Sequence, residues 1–306
     1  MPLFRISLLT LAFSAFFSPI IQAADTASDW AKYEEAKKNA LPKSAITALD
    51  PIIEKTLADG TYDEALKAIL LKAAQVTAID GNNMSAQIRE LRAYFDKAPA
   101  QLKPMLATAL AHAWQSYYNQ NRWQLLRRSA SSAGDSTDFL TWDATRVRSE
   151  IDSLYTFALG NAAALKRTPV ATFNAVLKPG SLPDAYRPTL YDFLIHDAIA
   201  FYSLGEQGAS QPEDAFEPEA KSPLLGTLEE FLAWKPQTTD TASPKLKVIQ
   251  LYQEVLRFHK NDTLALALSD ADFQRILWAG KILDSSENIG VQGALHKFIE
   301  RWKNYE

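Results

Sequence analysis

Residues 61–81 read TYDEALKAILLKAAQVTAIDG. Apolar side chains recur at Tyr62, Leu66, Ile69, Leu70, Ala73 and Val76, the spacing of one face of an α-helix. Thr61, followed three residues later by Glu64, has the form of a capping box, in which hydroxyl and carboxylate each satisfy a free backbone N–H of the first turn. Asp80-Gly81 supplies the stop. Just upstream, Ile46, Leu49, Ile53 and Leu57 mark a second helical face, and Asp59-Gly60 leaves room only for a tight connection. The two faces predict an αα-hairpin. Pro51 lies inside its first arm and predicts a kink or a late start there, because proline lacks an N–H and its ring crowds the preceding turn.

The helical period dominates from Asp29 onward. Met84, Ile88, Leu91 and Phe95 mark one further helix; Leu102, Leu106, Leu110, Ala113 and Tyr117, with Pro99 and Pro104 at its start, mark the next. These hairpins are similar to tetratricopeptide units, but no fixed repeat length links them. A Ser/Gly-rich stretch at 129–138 then separates two helical halves, 24–128 and 139–306. The second half resumes at Val147, Ile151, Leu154, Tyr155 and Ala158, and again after Arg187-Pro188 at Leu190, Phe193, Leu194, Ala198, Phe201 and Tyr202. Glu206 to Ser222 reads as an exposed acidic excursion. Helices around Val248–His259, Asp270–Leu283 and Val291–Trp302 close the chain. No segment sustains alternation of period two. The expected fold is all-α, built of irregular stacked helical hairpins.

Ahead of this lies a different kind of segment. Arg5 is the only charge before Asp25, Ile6 to Phe17 is almost unbroken apolar sequence, Pro19 breaks it, and Ala23 offers a small residue for cleavage. Residues 1–23 therefore read as a secretory signal peptide, too short in its apolar run to span about 30 Å of hydrocarbon as a helix. Its removal would take the formal charge from −4 to −5, since Arg5 leaves with it. The expected location is the periplasm, with no membrane anchor after cleavage. The chain has no Cys, which excludes both a lipoprotein anchor and thiol chemistry. Its basic residues are spread rather than gathered on one face, which argues against nucleic acid as a partner. Hydrophobic content of 47% suffices for a large core, and only 11 Gly suits helices.

The residues offer little chemistry. His112, His196, His259 and His296 do not stand at metal-ligand spacing. Asp192 and His196 are one turn apart and predict a surface Asp–His pair rather than an acid–base site. Asp270-Ala271-Asp272 follows Ser269 and reads as the capped, acidic start of a helix. Glu229-Glu230 reads as a solvated pair, and neither a phosphate-binding Gly loop nor a nucleophile elbow is present. No cofactor and no enzymatic activity are expected. The aromatic run is richer: Trp114, Tyr117, Tyr118, Trp123 and Trp142 fall near Arg122, Arg127 and Arg128. Helix–helix packing accounts for such a run most simply. A partner-binding surface formed by Trp114, Tyr118, Arg122, Trp123 and Trp142 is the functional alternative.

Several segments, in order, resemble the N-terminal helical region of large bacterial alpha-2-macroglobulin-like proteins. They are Trp114 to Trp123 (WQSYYNQNRW), Thr141-Trp142-Asp143, Arg187 to His196 (RPTLYDFLIH), Ala215-Phe216-Glu217-Pro218 and Lys247 to Asp262 (KVIQLYQEVLRFHKND). The resemblance spans about Asp29 to Leu283. It implies a docking module preceding macroglobulin domains, a protease bait and, in many members, a thioester; none of these lies within the 306 residues. Protease trapping is therefore not expected of this chain alone, and its expected partner is a cell-envelope protein or those downstream domains. A free-standing periplasmic protein-binding scaffold is the second expectation. A helical-toroid enzyme acting on polysaccharide is a third, disfavoured because no carboxylate pair stands in the aromatic span.

Overall fold

The structure, a computed structural model, describes residues 26–128, 138–178, 180–205, 214–219, 221–283 and 288–303. The leader read at 1–23, the Ser/Gly-rich stretch apart from Asp138, and the first part of the acidic excursion lie outside the described residues.

Five consecutive helices open the fold: α1 (Ala27–Lys38), α2 (Pro42–Asp59), α3 (Tyr62–Ile79), α4 (Met84–Lys97) and α5 (Lys103–Arg127). Each packs on the next, and α6 (Ala144–Leu159) packs back on α5. This is the stack of hairpins that the periodicity predicts. The connection between α2 and α3 turns at Gly60, whose φ of 76° a residue with a Cβ adopts only under strain. Pro42 stands in the first turn of α2, where its missing N–H has no helical partner to lose. Pro51 does not delay the helix. α2 starts at Pro42 and runs continuously through it, held by Ala48, Leu49, Ile52 and Ile53 in the core on either side.

The remaining helices are α7 (Ala162–Leu165), α8 (Leu190–Ser203), α9 (Leu228–Ala233), α10 (Pro244–His259), α11 (Leu266–Ile282) and α12 (Asn288–Trp302). α8 packs on α6 and on α10, α10 on α11, and α11 on α12. Short 3-10 turns at Phe139–Thr141, Val170–Phe173, Asp184–Tyr186 and Pro223–Leu225 fill the connections. Among the described residues there is no strand, only an isolated bridge between Pro169 and Thr189. The protein is all-α. None of its described helices is long and apolar enough to cross a membrane.

Several local expectations need correction. Thr61 caps α3 by position, but its side chain makes no capping bond. Glu64 instead accepts hydrogen bonds from the Thr26 hydroxyl and the Trp30 indole N–H, tying α1 to α3. Complete capping boxes occur elsewhere, at Thr189 with Asp192 and at Thr227 with Glu230. α11 begins at Leu266, a turn before Asp270, so Asp270 and Asp272 lie inside the helix, where both are buried. The described end of the excursion is anchored rather than free. The Phe216 N–H donates to Asp240, Phe216 packs against the core, and Glu217 pairs with Lys245.

One contiguous apolar cluster runs from Tyr33 in α1 to Leu283 after α11. The sequence boundary at 129–138 is thus crossed by a single core, whose side chains from α5 and α6 interdigitate there.

Candidate functional site

The aromatic run divides by exposure. Trp114, Tyr117 and Tyr118 of α5 are buried, as is Trp142, just ahead of α6. The indoles of Trp114 and Trp142 stack with centroids 5.2 Å apart and planes within 6°. Phe139 meets Trp114 edge-on at 5.0 Å. Arginines cover the cluster: Arg146 lies 5.0 Å above Trp142, Arg89 lies 5.3 Å from Phe139, and Arg128 donates to the Trp142 carbonyl at 2.7 Å. These rings weld α5 to α6 and present no surface to a partner, which corrects the alternative for Trp114 and Trp142. Trp123 is different. At 75% exposure it stands in solvent near the end of α5, with the Arg122 guanidinium 5.8 Å from its ring. Arg122 is half-buried, and its Nε is sealed without a hydrogen-bond partner among the described residues.

The buried polar residues form helix-to-helix clasps. His259, 2% exposed at the end of α10, places Nε2 2.6 Å from Asp192 and Nδ1 2.6 Å from Asp262. A carboxylate only accepts, so the geometry favours the imidazolium form, in which both ring nitrogens donate. Burial opposes that charge, but the two carboxylates prevail and hold the His259 pKa above its ordinary value. Asp192 is also bonded by the Thr189 hydroxyl and backbone N–H, and these bonds with His259 outweigh burial and lower its pKa. The surface pair expected between Asp192 and His196 does not form. Asp192 is buried against His259, 67 positions away, and His196 reaches only the Asp192 carbonyl through Nδ1 at 2.8 Å. His196 Nε2 is sealed and has no partner among the described residues, although the residue as a whole is half-buried. Burial, with the nearby Arg187 charge, pushes its pKa down to about 4.

Arg275 of α11 is almost wholly buried. It pairs with Asp272 at 2.7 Å, donates to the carbonyls of Leu224 and Gly226, and lies 4.7 Å from the Phe231 ring. Arg187 pairs with Asp270 at 3.1 Å. His112 of α5 meets Asp197 of α8 at 2.9 Å, and Asp197 also accepts from Tyr155 of α6. The bond to Asp197 outweighs burial and raises the His112 pKa. Among the described residues no three His, Cys, Asp or Glu side chains converge as metal ligands.

A groove opens where α6, α8 and α10 meet. α8 is its floor, α6 and α10 its walls, and α5 adds Gln115 and Tyr118. Its main chamber has a volume of about 480 Å³, and a second of about 210 Å³ shares Tyr202, Lys247 and Gln250 with it. Tyr202 lines both chambers and donates to Asp152 across the floor. Sequence periodicity could not reveal this groove, because its residues come from four helices and most read as ordinary polar positions.

No family model, curated protein or solved structure matches the chain. Its own residues must carry the functional reading. His259 with Asp192, and His112 with Asp197 and Tyr155, join separate helices, and Arg275 ties α11 to the turn at Pro223–Leu225. Among the described residues, Trp123 is the most exposed of the large apolar side chains, and the groove lies open between α6, α8 and α10.

Proposed function

We propose that the chain is a non-enzymatic helical docking module of the bacterial cell envelope, exported to the periplasm by its leader at 1–23. On this reading it corresponds to the N-terminal helical region of alpha-2-macroglobulin-like proteins and holds a protein partner or the domains that follow that region. The observation that carries the reading is the contrast between spent and unspent side chains. His259, Asp192, Asp272 and Arg275 are consumed by bonds between elements, whereas Trp123 is left 75% exposed beside Arg122. Trp and Arg are the residue types that most often dominate binding energy when a partner desolvates them. Among the described residues, the Trp123 indole takes no part in the core.

The test is a photoreactive amino acid in place of Trp123, in cells that export the protein. Crosslinking to one discrete protein, lost when the probe is moved to exposed Gln124, supports docking through this face. Uncrosslinked chain alone at position 123 would overturn it. The free-standing scaffold is distinguished by the reading frame after codon 306: β-rich sequence in frame favours the macroglobulin-like assignment, and a natural stop favours the scaffold.

A further inference from the structure

We infer that the groove over α8 is a binding site for an acidic sugar, a hydroxyl-rich ring carrying a carboxylate. The inference is independent of docking through Trp123. Three properties of the groove converge on this ligand. The first is size: about 480 Å³ falls within the range of small-molecule sites, roughly 300–1,000 Å³. The second is charge. Arg148 of α6 and Lys247 of α10 face the chamber from opposite walls, and neither has an ion pair among the described residues. Lys247 lies 5.8 Å over the Tyr202 ring, and Arg148 makes no side-chain hydrogen bond among the described residues. The chamber's carboxylate, Asp152, already accepts the Tyr202 hydroxyl. Lys247 also lines the adjoining chamber, where Glu254 offsets it, whereas Arg148 lines only the main chamber, so an anion is directed there. The first turn of α10, with its partial positive charge, closes that chamber from Ser243 to Lys247.

The third property is the rest of the lining. Gln115, Thr145, Ser149, Thr241 and Gln250 carry hydroxyl and amide groups, each able to donate and accept. A sugar ring presents the same mixed chemistry in a compact shape. Half-buried Phe201, stacked on Tyr155 at 5.0 Å, offers an apolar patch for its C–H face. A peptide fits poorly. An extended peptide needs a sheet edge, of which there is none among the described residues. An amphipathic helix needs a continuous apolar trough, whereas here Arg148, Asp152 and Lys247 interrupt the apolar lining.

Calorimetric titration of the purified chain with glucuronate, its disaccharide, glucose and a triglutamate peptide tests the inference. Glucuronate should bind saturably and glucose at least about tenfold more weakly, the loss expected for one charge-assisted bond. The disaccharide arm distinguishes a free sugar from a glycan unit: tighter binding than the monosaccharide indicates a glycan, equal binding a free sugar, and both support the site. Arg148→Met or Lys247→Met should each weaken glucuronate about tenfold while leaving the melting temperature unchanged, since both side chains lie outside the core. Asp152→Asn should tighten it by removing the like charge. Equal affinity for glucose, tighter binding of triglutamate, wild-type affinity in both cation variants, or no saturable binding would each overturn the inference.

Discussion

At the scale of single residues, histidines shifted in opposite directions set the pH response, the buried His259 and the more exposed His112 upward and His196 downward. His259 has a raised pKa, so its stabilisation is complete below its unfolded value of 6.5 and fades as pH rises through the higher folded value. His196 has a folded pKa of about 4 against 6.5, so the unfolded chain takes up a proton first as pH falls. That costs up to about 3 kcal/mol between pH 6.5 and 4. Asp192, with its lowered pKa, adds to the loss only in stronger acid. Stability should therefore peak near pH 6.5 and fall on both sides. Melting temperatures of the wild type, His259→Gln and His196→Phe across pH 4–9 check this. His259→Gln should flatten the alkaline limb, and His196→Phe the acidic one. A monotonic profile in the wild type would contradict the assignment of an imidazolium to His259. The cost of breaking the clasp is largest at and below pH 6.5, where truncating one partner of a buried pair costs about 3–5 kcal/mol.

At the scale of helices, α1 is held differently from the rest. Its buried face is small, Tyr33 and Ala36 with Asp29. Two polar ties complete its attachment: Lys55 of α2 to Asp29, and Glu64 of α3 to Thr26 and Trp30. Glu64→Ala should release α1 while leaving α2 to α5 intact. Hydrogen exchange should quicken by about tenfold or more in residues 27–38 alone, as expected when one or two bonds of about 1 kcal/mol each are lost. Uniform quickening across α2 and α3 would mean that Glu64 supports α3 as a cap. This residue marks the limit of what the sequence makes legible. Helix faces such as Leu66, Ile69 and Ala73 are readable because burial repeats every turn within one segment. Glu64 offered a sound local signal for a capping box, but a partner 38 positions away claimed its carboxylate. Asp192 likewise turned from His196 to His259, and Asp270 from helix cap to Arg187. Long-range pairing leaves no periodic trace. Glu229-Glu230, read as a solvated pair, is instead engaged: Glu230 closes a capping box with Thr227, which has the same spacing as Thr61 and Glu64, and Glu229 pairs with Arg301. The groove was not legible, since its residues assemble only once α6, α8 and α10 are in place.

At the scale of the whole molecule, the Ser/Gly-rich stretch divides the sequence more sharply than the structure. Trp114, Tyr117 and Tyr118 belong to the first half, and Phe139, Trp142 and Tyr155 to the second, yet they share one core. Trp114 is 2% exposed, and Phe139 and Trp142 from the second half both pack against its ring. Arg92 of α4 also pairs with Glu150 of α6 across the division. Removing a buried aromatic ring costs about 3–5 kcal/mol, against a total stability of roughly 5–15 kcal/mol for a typical domain. Neither half should survive separation as a well-packed unit. Expressed alone, residues 24–128 and 139–306 should keep helical far-ultraviolet circular dichroism but lose the near-ultraviolet signal of ordered Trp and Tyr. They should also bind a hydrophobic dye, and mixing the two should restore ordered packing. The single substitution Trp142→Ala probes the same seam in the intact chain. It should lower one cooperative transition by several degrees rather than split it in two, because the ring it removes supports helices on both sides. Two separate melts in the wild type, or a sharp independent melt for either fragment, would show that 129–138 joins two domains with cores of their own.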